Sequence, residues 1–159
     1  SGHGSVGKFV FGTTEDDHFL THQDAEWGDK DLEWIAIDAC RVLNNDDGDV
    51  FDRWGTWFTG SDVFNGLHQI LGFATHASDV PNRGDKFAYY MTRPWYYGGA
   101  MKIKDAWFKA CDETESNRVS AVESVCRPND AEDDYLPGYG STASDSDNPN
   151  CLSWTPHTC

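Results

Sequence analysis

Two stretches of the chain are nearly continuous in apolar residues. One runs from Leu32 through Trp34, Ile35, Ala36 and Ile37 to Cys40, and the other from Gln69 through Ile70, Leu71 and Phe73 to Thr75. Such runs predict strands buried on both faces, the habit of parallel sheets. Between them Phe51, Trp54, Trp57 and Phe58 fall three and four apart, as on one helix face, which gives the β-α-β rhythm. A further helix is expected over Gly84 to Tyr90, stopped by Pro94. The strongest helical pattern runs from Ala100 to Asp112, with Ile103, Ala106, Trp107, Ala110 and Cys111 on one side and Lys102, Lys104, Asp105 and Lys109 on the other. Gly7 to Gly12 reads as a short extended run, and Val119 to Val125 alternates like an edge strand. The fold expected is α/β, a mostly parallel sheet flanked by helices over residues 1–127. From Pro128 onward Gly, Pro, Asp, Asn and Ser dominate, so 128–159 is expected to be an irregular tail held by its cysteines.

Charge narrows the partners. Lys plus Arg number 12 against 27 for Asp plus Glu, a net charge of −15 with no basic patch, which argues against a nucleic-acid partner. No apolar run is long enough to span a membrane. The Asn44 to Asp49 turn is rich in oxygen ligands, but its glycine is out of register for a calcium loop and the closing Glu is missing. His18 and His22, four apart near Glu15 and Asp24, lack a helical pattern to align them. No metal and no cofactor is expected.

Five cysteines leave an odd thiol. Cys40 closes an apolar run, whereas Cys111, Cys126, Cys151 and Cys159 come late, so two bridges and a free Cys40 form the economical division, with three connectivities open. Bridges place the chain outside the cell or at its surface.

The residues with chemistry to offer are in Gly2-His3-Gly4 and Asp38-Ala39-Cys40. A thiol becomes a nucleophile beside an imidazole, and His3 and Cys40 at the carboxyl ends of neighbouring parallel strands would face one crevice. His76 and Asp79, after the second buried run, would line it. The bland reading stands beside this one: a His-Gly pair is commonly a turn and a buried cysteine commonly a small apolar filler. Trp95-Tyr96-Tyr97 is not helically periodic and suits a binding or assembly surface.

These two motifs resemble the caspase-hemoglobinase fold of cysteine peptidases, the group of caspases, metacaspases, legumains and gingipains. Segments Phe64 to Phe73, Gly84 to Ala88 and Ile103 to Trp107 are similar to an uncharacterised microbial branch of it. The resemblance implies a cysteine endopeptidase acting on a peptide or protein substrate. Cys40 would be the nucleophile, His3 the base, the amides of Gly4 and Cys40 the oxyanion hole, and Asp38 the partner of a Lys or Arg side chain before the scissile bond. It also implies that the strands preceding His3 are missing from the sheet, so an upstream fragment or a neighbouring copy is expected at an open edge. The alternative is a non-catalytic extracellular structural or assembly protein on the same scaffold.

Overall fold

The computed structural model describes residues 3–5, 8–10, 19–25, 27, 32–46, 50–55, 63–127, 130–145 and 149–159. They form two sheets. The smaller is antiparallel, with β1 (His3–Ser5), β2 (Lys8–Val10) and β3 (Phe19–Thr21) in that order. The larger has β4 (Trp34–Ala36), β5 (Gln69–Phe73), β6 (Val119–Arg127) and β7 (Cys151–Thr158), again in chain order. Three helices accompany them, α1 (Val50–Trp54), α2 (Arg83–Thr92) and α3 (Ile103–Asp112), with a 3-10 turn at Trp95–Tyr97.

Only β4 and β5 are parallel, while β6 pairs antiparallel with both β5 and β7. The expected mostly parallel sheet is therefore corrected to a mixed, mostly antiparallel one. An apolar run reports that both faces of a strand are covered, and any central strand meets that condition whatever its direction. β5 is buried at all five positions. Leu71 and Phe73 face an apolar cluster that includes Phe87, Ile103 and Trp107 from α2 and α3, and Ile70 faces another built on Val42, Trp54 and Phe64.

β6, expected at an edge, lies between β5 and β7 and splits its side chains between the same clusters, Ala121 and Val125 to one and Val122 to the other. Residues 151–158, in the stretch expected to be irregular, form β7. Ser153, Thr155 and Pro156 mask its pattern. The strand is fixed instead by its long ladder to β6 and by the Trp154 indole, which donates to Leu43 O at 3.1 Å.

α3 follows its predicted periodicity, and the Trp107 indole donates to Gly72 O at 3.2 Å. Gly72 admits a close approach, since a Cβ there would lie 2.5 Å from Val42 Cγ1. α2 ends before Pro94, as expected. The aromatic helix face is realised only as far as Trp54 in α1; Trp57 and Phe58 lie outside the described residues. Among the described residues, β1 and β3 bound the smaller sheet and β4 and β7 the larger, so each has an unpaired outer side to which a strand can add. No described helix is long and apolar enough to cross a membrane.

Candidate functional site

The parallel pair β4/β5 has two ends of different chemistry. Beyond the carboxyl ends lie Asp38 and Cys40 after β4, and His76 and Asp79 after β5. Cys40 is a half-buried free cysteine. Its Sγ accepts a hydrogen bond from the Ala77 amide at 3.3 Å and lies 3.6 Å from the Ala77 carbonyl oxygen. Arg41 follows with φ of 56°, a left-handed backbone, and its amide donates to Thr75 O at 2.8 Å.

Asp38 accepts from the guanidinium of Arg83, a fully buried residue that also pairs with Glu115. Arg83 further donates to Ser78 O and Thr114 Oγ1, both at 3.1 Å, and stands 4.8 Å over the Phe73 ring. Burial raises the Asp38 carboxyl above its ordinary value, and Arg83 pulls against that rise. The cation held by Asp38 is thus the chain's own. His76 and Asp79 are exposed on the loop leading to α2.

His3 is elsewhere in the topology. It sits in β1 opposite Val10, with Gly4 opposite Phe9, in the smaller antiparallel sheet. The dyad rested on His3 and Cys40 ending adjacent parallel strands, and that arrangement does not exist. Among the described residues, the group of His, Cys, Asp and Glu side chains whose ligand atoms gather together, Glu33, His68 and Asp145, contains no cysteine. The cysteine endopeptidase and its caspase-like protease character are corrected on these grounds.

The other cysteines divide differently from expectation. Cys126 and Cys151 form a disulfide, while Cys111 and Cys159 are free. These two thiols are hydrogen-bonded to each other, which with the neighbouring Ser120 lowers Cys159 to about 6 and, together with burial, pushes Cys111 up.

At the amino end of the pair, the register that sets Trp34 against Gln69 brings the preceding residues, Glu33 and His68, side by side. The His68 amide donates to Glu33 O at 2.8 Å. The His68 ring is 3% exposed, with Nδ1 at 2.6 Å from Asp134 Oδ2 and 3.2 Å from Glu33 Oε2. Its Nε2 faces Asp145 Oδ1 at 3.6 Å, beyond hydrogen-bond reach. Asp134, also buried, uses its other oxygen to accept from the Ala143 amide at 2.6 Å, and its carbonyl accepts from the Ile103 amide at 2.8 Å. The segment after β6 is thereby fastened over the sheet. Burial alone would lower the imidazole, but the pull of Asp134, Glu33 and Asp145 outweighs it and raises His68 above its ordinary value.

Residues 1–156 match the model of a family described as a domain of unknown function (DUF6345). The chain belongs to that family. No curated protein and no solved structure matches it. In this DUF6345 domain, sequence reasoning singled out the carboxyl end and passed over the amino one. The available signal was positional: Glu33 and His68 are the polar residues immediately before the strand-forming part of each buried run. Of the earlier histidine pair, His22 lies near Trp54, with ring centroids 6.4 Å apart, and His18 is outside the described residues.

Proposed function

We propose that this DUF6345 domain is a non-catalytic structural or assembly module acting outside the cell or at its surface. The observation that carries the reading is a rigid aromatic ledge. Trp95, Tyr96 and Tyr97 are exposed by 85, 63 and 64%. Their turn is nonetheless well tied. Pro94 O accepts from the amides of Tyr97 and Gly99, Trp95 O accepts from Gly98, and Arg93 Nε donates to Gly99 O at 2.7 Å. Gly98 and Gly99 supply the left-handed backbone that this geometry requires.

Exposed aromatics held in a fixed arrangement lose little freedom on contact, which is what a recognition surface needs. The occupant proposed is a second copy of the chain, with the outer side of β4 or β7, unpaired among the described residues, extending the contact. The Cys126–Cys151 bridge supports the extracellular setting.

Sedimentation over a concentration series tests this. With a net charge of −15, copies repel at low salt, so association through an apolar ledge should strengthen as salt rises toward and beyond about 0.15 M. Trp95→Ser with Tyr97→Ser should leave a monomer. A wild-type chain that stays monomeric throughout, or a double variant that associates as before, rejects the reading. Retardation of the wild type alone by a soluble polysaccharide would transfer the ledge to a glycan.

A further inference from the structure

We infer that the amino end of the parallel pair is a binding site for one divalent first-row transition-metal ion, held by Glu33, His68 and Asp145. The inference stands on three geometric observations. Each of the three residues offers a ligand atom, and these atoms all lie within 4.8 Å of one another. The His68 Nε2 is buried, has no hydrogen-bond partner, and points at Asp145. The hydrogen bond between Asp134 and Nδ1 puts the ring proton on that nitrogen and leaves the Nε2 lone pair free to bind a cation.

A carboxylate behind one ring nitrogen with metal at the other is the arrangement by which proteins orient ligating histidines. Asp134 is here the orienting residue and not a ligand. Metal–ligand bonds of about 2.1 Å place the donors of a tetrahedral ion roughly 3.4 Å apart, so donor atoms now up to 4.8 Å apart must close by as much as about 1.4 Å around the ion. Asp145 Oδ1 already stands 3.6 Å from Nε2, so the shortening falls on the distances to Glu33, whose Oε2 now lies beside Nδ1 on a side chain 29% exposed. One imidazole nitrogen and two carboxylates form a borderline donor set. It suits zinc, cobalt, iron or manganese better than calcium, which takes six to eight oxygens. Three protein ligands leave at least one position for water or for a group on another molecule. Such an ion would clamp the segment carrying Asp134 and Asp145 onto the ends of β4 and β5, a structural role that suits a module without catalysis and does not depend on the ledge.

The test uses the full oxidised chain, stripped with chelator and titrated with Co²⁺, with Zn²⁺ as competitor. Saturation at one Co²⁺ per chain is expected, with visible ligand-field bands and no near-ultraviolet thiolate charge-transfer band. Asp145→Asn and Glu33→Gln should each weaken binding by about tenfold or more. Both variants should keep the unfolding midpoint of the metal-free wild type within a few degrees, Asp145 being substantially exposed; His68→Gln provides a third, buried variant with the same expected loss. No saturable Co²⁺ binding at millimolar concentration overturns the inference. So does binding of undiminished strength in Asp145→Asn and Glu33→Gln, or a thiolate band, which would place the ion on the acidic surface or on the free cysteines.

Discussion

The two ends of the β4/β5 pair differ in what they leave unfinished. At the carboxyl end, polar groups that look reactive in sequence are already engaged: the Cys40 sulfur by Ala77, and Asp38 by an arginine shared with Glu115. All three free thiols gather at this end, since Cys111 stands in the last turn of α3 and Cys159 closes the ladder beside Ser120 and Arg118. At the amino end stand the disulfide and a buried histidine with one nitrogen tied down and the other facing an exposed carboxylate. A cysteine after a strand advertises chemistry but reveals nothing of its neighbours, and the neighbours decide whether a group is spent or available.

The largest effect should come from breaking the finished end. Arg83→Met leaves Asp38 and the buried Glu115 without their cation, and removing one partner of a buried ionic network costs about 3–5 kcal/mol. Chemical denaturation should show that loss. A cost under about 1 kcal/mol would mean that the arginine is incidental and Asp38 open to an outside cation.

Asp134→Ala acts on the other end. It leaves the Ala143 amide without its acceptor and His68 Nδ1 with only Glu33 Oε2 at 3.2 Å, and should cost about 2 kcal/mol, read in the same experiment. Stability unchanged by this substitution would show that the loop is not anchored through Asp134.

The thiols test the carboxyl end by pH. A thiol reacts as its thiolate, so alkylation of Cys159 should rise with pH and reach half its plateau near the depressed value of about 6, while Cys111 stays unmodified in the folded chain. Mapping the alkylated peptides across pH checks the order, and Cys111 reacting first would reverse it.

The smallest effect belongs to Arg41→Gly. Relief of a left-handed non-glycine backbone should stabilise the fold by up to about 1 kcal/mol, less whatever the 3.8 Å ion pair of Arg41 with Asp46 contributes. A destabilisation larger than that would show the Arg41 side chain to matter more than its backbone.

The helices were legible because their evidence is local. Ile103, Ala106, Trp107 and Ala110 state the face of α3, and Pro94 states where α2 must stop. Strand direction was not legible, because an apolar run in β5 records cover above and below but not which strand lies alongside. β7 was hidden by Ser153, Thr155 and Pro156, whose place in the sheet comes from β6. For the site the limit was sharper. Asp134 and Asp145 are two aspartates in an aspartate-rich segment, and only the register of β4 on β5 makes Glu33 and His68 neighbours for them.

The Cys126–Cys151 bridge spans 25 positions of chain, and within that span lie both Asp134 and Asp145. Such a tether removes on the order of 3 kcal/mol of wandering from the unfolded segment. The two carboxylates are in effect kept on a short leash, delivered to His68 by a loop whose roots cannot part. Reduction would lengthen that leash without altering a ligand. The same polypeptide matured in an oxidising or a reducing compartment would then present two different grips on a cation.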